Sequence, residues 1–140
     1  MLGLPHTKEE FNRFGEGCLP ALVGFEVLAV EPRKLKARIK IRKDLLAPNG
    51  YLHAASVIAL ADTACGYGTI TVLPAEASGF TTIELKSNFL GTCRDGAILA
   101  DAVCIHAGRS TQVWDATVTD ESTGKTIAVF RCTQAILYKP

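Results

Sequence analysis

One carboxylate lies in the middle of a long apolar segment. Asp62 is the only charged residue between positions 54 and 73, where the other side chains are mostly small or apolar. An ionised carboxylate in such surroundings loses hydration energy unless it has a partner, and the same loss raises its basicity. This setting predicts either a catalytic base or nucleophile, or a structural aspartate paired with an arginine or with backbone amides.

The segment that carries Asp62 predicts a buried helix. Residues 54–73 contain no helix breaker except Gly66 and Gly68, and about twenty helical residues would span ~30 Å. A membrane-spanning interpretation is disfavoured because a central charge is costly in lipid. The face around Asp62 is made of small residues at helical spacing, which leave a groove or allow close packing: Ala55, Ala59, Cys65, Gly66 and Thr69.

Strand-like segments lie on both sides of this helix. Residues 34–42 alternate strictly between apolar and basic side chains, which indicates a strand with one buried face and one solvated face. We interpret the basic face as solvated protection of a sheet edge rather than as a ligand-binding surface. The other predicted strands are residues 23–30, 80–90, 97–106, 110–119 and 126–138, and the last two are expected to form a hairpin.

These elements predict a single α+β domain over residues 1–140. Thr7 and Glu10 form a capping-box pattern, so a short helix is expected to run to about Phe14 or Gly15. The order is then α-β-β-α-β-β-β-β, and the four consecutive strands imply an antiparallel sheet against which the long helix is buried. The larger aromatic residues Tyr67, Phe89 and Trp114 could line an aromatic pocket, but core filling is the better interpretation for scattered aromatics.

Composition excludes several classes of protein. A formal net charge of +1 provides no basic field for nucleic acid. The five cysteines lack a CxxC pair, which indicates reduced, mostly buried thiols. The first 14 residues are polar where a secretion signal needs an apolar segment, so we predict a cytoplasmic protein with no membrane partner.

Several short motifs together resemble a known family. The order His53-Ala54-Ala55 followed by Ala61-Asp62-Thr63-Ala64 is similar to the HGG…ADTA helix of the phenylacetate-degradation type of hotdog thioesterase, in the 4-hydroxybenzoyl-CoA thioesterase superfamily. The resemblance covers essentially the whole chain, through Gly24-Phe25-Glu26, Phe80-Thr81-Thr82, Asn88-Phe89-Leu90 and residues 106–111. It implies a hotdog fold, in which a curved antiparallel sheet wraps a long central helix, and hydrolysis of acyl-CoA thioesters to free acid and CoA.

The resemblance also implies roles for individual residues. Asp62 would act as nucleophile or general base, and the backbone N–H of Ala54 would polarise the thioester carbonyl. Thr82 would orient the hydrolytic water. His53 is expected to steady the start of the helix, because no second histidine lies at metal-ligand spacing. Neither a metal nor a separate cofactor is expected, since CoA is part of the substrate.

Helix geometry separates two of these residues. Ala54 and Asp62 are eight positions apart, which is ~12 Å along one helix axis. One helix therefore does not bring them together, and the site is expected to combine Asp62 of one subunit with Ala54 of a second subunit. A homodimer is the minimum unit, and the family resemblance implies that dimers pair into a tetramer.

The resemblance leaves two regions of the site less defined. Arg109 is the first candidate for binding the phosphates of CoA, and Arg94 and Lys86 are further candidates, although each could be a solvated surface charge. The family often has Asn or Gln six positions before the histidine, where this chain has Ala47. Asn49 could replace that amide or could simply form an Asn-Gly turn.

Two other functions remain as alternatives. The absence of an amide at Ala47 motivates a non-catalytic acyl-CoA-binding protein that has kept the groove. A hotdog dehydratase, in which His53 would abstract a proton, is disfavoured because the positions of the histidine and the acid differ from those enzymes.

Overall fold

The first element of the computed structural model, which describes residues 3–140, is a capped helix. Helix α1, Lys8–Phe14, begins after Thr7, whose hydroxyl oxygen accepts a hydrogen bond from the Glu10 N–H at 3.2 Å. The Glu10 carboxylate in turn accepts from the Thr7 N–H at 3.1 Å. This reciprocal pair satisfies two donors at the helix start. The capping-box prediction is confirmed.

A second short helix separates α1 from the sheet. Helix α2, Leu19–Val23, has Pro20 in its first turn and ends at Gly24, whose φ is +77°. Proline is favoured in the first turn of a helix, and glycine adopts the left-handed conformation at a helix end without strain. The strand predicted for residues 23–30 therefore begins three residues later, at Glu26.

Six strands form one antiparallel sheet. They are β1 Glu26–Glu31, β2 Lys34–Lys40, β3 Ala77–Phe89, β4 Ala97–Ala107, β5 Thr111–Asp120 and β6 Thr126–Tyr138. Their order across the sheet is β1-β2-β4-β5-β6-β3. The predicted hairpin of the last two strands is confirmed, because β5 and β6 are antiparallel neighbours.

The long helix lies against one face of this sheet. Helix α3, Ala54–Ile70, is 17 residues long and ends three residues before the predicted position. Gln112 on β5 donates a hydrogen bond to the Thr69 carbonyl at 3.4 Å, and the Thr71 hydroxyl donates to the Gly68 carbonyl at 2.6 Å. These side chains satisfy carbonyls at the helix end, so the helix stops without leaving them unpaired. The α+β architecture is confirmed.

The core lies between α3 and the sheet. Leu60, Ala61, Ala64 and Cys65 on α3 are fully buried, as is Trp114 on β5. The expectation of reduced thiols also agrees with the structure, since all five cysteines are free and only Cys18 is exposed. The expectation for Phe89 is wrong, because its side chain is 45% exposed at the end of β3.

The edges of the sheet are β1 and β3. The interpretation of the basic face of β2 as edge protection is wrong, because β2 lies between β1 and β4. Arg38 on this strand instead pairs with Glu26 at 3.5 Å and with Glu121 at 3.2 Å. The 13-residue strand β3 is the longer free edge, and it carries exposed apolar side chains at Ile83, Leu85 and Phe89.

Candidate active site

Asp62 lies midway along α3 on the face that turns away from the core. Its side chain is partly buried, and its Oδ1 atom is buried without a hydrogen-bond partner among residues 3–140. Burial away from water raises the pKa of this carboxyl above its ordinary value. None of the four ion pairs found in residues 3–140 includes Asp62. Within the same residues no backbone amide bonds to this carboxylate, so the structural alternative of an aspartate paired with an arginine or with backbone amides is wrong.

Asp62 lines a mostly apolar cavity of about 370 Å³. Its walls come from the N-terminal segment, from α3 and from the start of β3. The lining residues are Leu4, Phe14, Pro20, Asp62, Thr63, Gly66, Tyr67, Ile70, Leu73, Gly79, Phe80 and Thr82. A single carboxylate therefore lies beside a space that an apolar group can fill.

Thr82 lies on the wall of the same cavity. It belongs to β3, next to an irregularity in the pairing with β6 between Thr82 and Glu84. Its hydroxyl donates a hydrogen bond to the side-chain oxygen of Gln134 at 2.7 Å. The structure thus brings together Asp62 and Thr82, which are 20 positions apart in the sequence.

The start of α3 has a different local geometry. His53 is the N-cap residue, and its Nδ1 accepts a hydrogen bond from the Ala55 N–H at 2.9 Å. Ala54 is the first helical residue and is exposed. At this position a backbone N–H points out of the helix and has no carbonyl partner within it. The Ala54 N–H is therefore free to meet a group outside the helix.

Ala54 and Asp62 lie on one helix, as the sequence predicts, and are ~12 Å apart along its axis. A thioester carbonyl next to Asp62 is consequently out of reach of the Ala54 N–H in the same subunit. The two groups can act on one carbonyl only if a second chain supplies one of them.

Asn49 forms a turn before α3. Its side-chain oxygen accepts a hydrogen bond from the Tyr51 N–H at 3.2 Å, and Gly50 between them has a φ of +87°. This is the Asx-type turn that an Asn-Gly pair favours. Asn49 therefore has a local structural partner, and Ala47 nearby offers no side-chain amide.

The three cationic candidates do not converge in one subunit. Arg94 precedes β4 and lies over the Tyr51 ring at 4.3 Å, whereas Arg109 follows β4 and lies over the Tyr138 ring at 5.2 Å. The 11 residues of β4 between them span roughly 36 Å. Lys86 on β3 lies opposite Arg131 on β6 in the sheet, and it lines a separate surface depression.

Sequence reasoning missed several parts of the cavity. Leu4 and Phe14 form a wall from a segment far from α3 in the sequence, and no local pattern indicates that contact. Gln134 does not line the cavity but bonds to Thr82 on its wall. It could have been identified, because it alternates with Cys132 and Ile136, which are both buried. A glutamine at an inward position of a strand signals a buried polar contact.

Two further features bear on the kind of site. Within residues 3–140, no cluster of three or more His, Cys, Asp or Glu side chains could hold a metal ion. In the same range, no helix is long and apolar enough to span a membrane.

Comparison with known proteins assigns the family. A sequence model described as the thioesterase superfamily matches residues 49–132, which is more than half of the chain. The chain belongs to the thioesterase superfamily. The match includes α3 with Asp62 and extends across β3, β4 and β5 into β6.

Relatives of this thioesterase-superfamily chain include hydrolases. A 1,4-dihydroxy-2-naphthoyl-CoA hydrolase of Listeria monocytogenes is 33% identical over 121 residues, which cover 86% of this chain and 97% of the relative. A mutant thioesterase of Pseudomonas aeruginosa has a TM-score of 0.90 at 25% identity, covering 99% of this chain and 98% of its own.

A thioesterase of Haemophilus influenzae is similar, with a TM-score of 0.89 at 25% identity; the alignment covers 99% of this chain and 96% of that one. The hotdog fold expected from the sequence is confirmed by these matches. They also support thioester hydrolysis as the general activity.

Proposed function

We propose that this chain hydrolyses acyl-CoA thioesters, with the acyl group in the cavity beside Asp62. The observation that carries the proposal is the partly buried Asp62 carboxylate in a mostly apolar cavity of about 370 Å³, with no hydrogen-bond partner for its Oδ1 among residues 3–140. An apolar acyl group can fill that space while its thioester carbon lies next to the carboxylate. The relative that is a 1,4-dihydroxy-2-naphthoyl-CoA hydrolase extends the proposal to aromatic acyl groups.

The chemistry uses Asp62 and the Thr82 hydroxyl on the cavity wall, together with the backbone amide of Ala54. Asp62 either attacks the thioester carbon or removes a proton from a water that attacks it. If Asp62 attacks, the CoA thiolate leaves an anhydride between the acyl group and Asp62, which a water molecule then hydrolyses. If Asp62 acts as a base, the activated water displaces the thiolate directly. In both cases the thiolate takes up a proton, and the products are free acid and CoA. The raised pKa of Asp62 makes its carboxylate a stronger base than an exposed aspartate.

We propose that the oxyanion is stabilised across a subunit interface. The donor is the N–H of Ala54, which carries the partial positive charge of a helix start. Since it lies ~12 Å along the helix from Asp62, the donor for one site comes from the second subunit. The long free edge of β3, with Ile83 60% exposed and Leu85 39% exposed, supports a two-fold contact with a second copy.

The same arrangement favours one of the cationic candidates for CoA. Arg94 packs on Tyr51, three residues before Ala54, so it lies at the start of α3. In the proposed dimer, Arg94 reaches the site together with the Ala54 that completes it. Its guanidinium can then bind a phosphate of CoA. Pairing of dimers into a tetramer and a cytoplasmic location remain predictions.

Thiol release from a panel of short, long and aromatic acyl-CoAs tests the activity. Asp62→Asn keeps the shape of the side chain but removes its basicity, and it should lower kcat by ~100-fold or more. Full turnover by this variant would contradict the proposal. Tight binding of acyl-CoAs by the wild-type chain, without product from any of them, would instead favour the non-catalytic acyl-CoA-binding protein.

Mixing two inactive variants tests the shared site. Ala54→Pro removes only the N–H, because proline is favoured at the first helical position and His53 already has an extended conformation, with φ −66° and ψ 136°. A mixed dimer of Ala54→Pro and Asp62→Asn has one site with both groups intact. After random exchange half of the dimers are mixed, and each mixed dimer has one intact site out of two. About one quarter of the wild-type activity should therefore return. No recovery after exchange would contradict a site that is shared between two subunits.

A further inference from the structure

Two glutamine side chains are fully buried beside each other in the core. Gln112 on β5 and Gln134 on β6 are directly paired in the sheet, and both have 0% exposure. A buried amide without partners loses its hydration with no compensation, so each of the two glutamines must be explained by its hydrogen bonds. The partners of the two glutamines differ in kind.

Gln112 has structural partners on both sides of its amide. Its oxygen accepts a hydrogen bond from the Trp114 indole N–H at 2.8 Å. Its nitrogen donates to the carbonyls of Val72 at 3.2 Å and Thr69 at 3.4 Å, at the end of α3. Gln112 therefore joins the sheet to the helix end. Its side chain makes no hydrogen bond to Asp62 or Thr82.

Gln134 has one strong partner, and that partner lies on the cavity. Its side-chain oxygen accepts from the Thr82 hydroxyl at 2.7 Å. Its nitrogen lies 3.6 Å from the Cys132 sulfur, which is a weak acceptor. The Thr82 hydroxyl does not need this amide as its only partner, because a hydroxyl on a cavity wall can also bond to water.

We propose that Gln134 is a positioning residue that fixes the direction of the Thr82 hydroxyl. With its proton held by Gln134, Thr82 presents its oxygen lone pairs to the cavity and accepts a hydrogen bond from the hydrolytic water beside Asp62. Gln134 itself does not touch the substrate. The inference rests on the proposed function and names a buried residue that controls the orientation of the water.

A double-mutant cycle tests whether Gln134 acts through Thr82. Thr82→Val removes the hydroxyl at nearly constant shape, and Gln134→Met removes the amide. Each single change should lower kcat about tenfold, the equivalent of one hydrogen bond of ~1.4 kcal/mol, with KM little changed. The double variant should be no slower than Thr82→Val, since Gln134 has no hydroxyl left to orient. A double variant that is slower than the wild type by about a hundredfold, the product of the two single losses, would show that the residues act independently and would overturn the inference.

Conservative variants separate orientation from folding. Gln134→Glu keeps an oxygen that accepts from Thr82, so it should retain more activity than Gln134→Met, and equal losses would contradict the inference. Should Gln134→Met fail to fold, Gln134→Asn replaces it in the cycle, because it keeps an amide that is too short to reach Thr82.

Gln112→Met is the matched control. It removes an equally buried amide from the neighbouring strand, so it should lower the melting temperature while kcat per folded molecule stays at the wild-type value. Wild-type protein without turnover on the acyl-CoA panel would overturn the proposed function, and the role of Gln134 with it. Normal turnover that depends on Asp62, combined with independent effects of Thr82 and Gln134, would overturn only the inference.

Discussion

The two faces of α3 place different demands on the same residue type. Gly68 faces the sheet, where an added Cβ would lie only 2.5 Å from the Trp114 ring. Gly66, two residues earlier, faces the cavity, where an added Cβ would lie 3.6 Å from the Phe80 ring. The first distance is a clash and the second is an ordinary van der Waals contact. Gly68 is therefore needed for packing, whereas Gly66 leaves open space beside Asp62.

The sheet face of α3 therefore contributes mainly to the stability of the fold, and the cavity face mainly to the space beside Asp62. Glycine inside a helix costs about 1 kcal/mol relative to alanine, so both glycines are retained for another reason. On the sheet face, that reason is close approach to Trp114. On the cavity face, the small side chain keeps volume next to the carboxylate. Substitutions on the two faces should therefore change different measurements.

Gly68→Ala should produce the largest change in stability. The added methyl has no space, because Trp114 is fully buried and its ring atoms are the nearest neighbours. Overpacking of this kind costs about 1–3 kcal/mol, even though alanine favours the helix. Urea denaturation should show the loss as a lower midpoint with an unchanged slope. An equal or higher midpoint would show that the sheet face tolerates a larger residue.

Asp62→Asn should raise the stability of the folded chain at neutral pH. Burial raises the pKa of Asp62 in the folded state, so ionisation of this carboxyl favours the unfolded state as the pH rises through the folded pKa. Asparagine has no such penalty. The gain in melting temperature should therefore be present at neutral pH and disappear in acid, below the unfolded pKa, where both states of the wild type are protonated. A variant that is less stable than the wild type at neutral pH would mean that Asp62 has a structural partner.

The features that the sequence alone predicts correctly arise from residues close together in the chain. Asp62 could be identified because a lone charge in an apolar segment is costly, and α1 could be predicted because Thr7 and Glu10 satisfy backbone donors locally. These signals act within one element. The alternation in β2 likewise predicts which side chains are buried, but it carries no information about which strands lie beside it.

Features that depend on distant contacts could not be predicted in this way. Phe14 and Phe80 both line the cavity although they are separated by 66 positions, and the Thr82–Gln134 hydrogen bond joins residues 52 positions apart. The exposure of Phe89 follows from the position of β3 at a sheet edge. Strand order determines the Thr82–Gln134 bond and the exposure of Phe89, whereas the position of Phe14 depends on where α1 packs. Both depend on the packing of the whole chain.

Gly66→Ala should have the smallest effect and the opposite sign to Gly68→Ala. The new methyl meets Phe80 at ordinary contact distance, so the better helix propensity of alanine should stabilise the protein by up to about 1 kcal/mol. The same methyl enters the cavity beside Asp62. Turnover of a bulky aromatic acyl-CoA should therefore fall relative to that of acetyl-CoA, measured as the ratio of their kcat/KM values. A loss of stability similar to that of Gly68→Ala would show that this face of α3 is packed as tightly as the other. An unchanged ratio with a gain in stability would place the acyl group elsewhere, because a filled cavity would then have no effect on the choice of substrate.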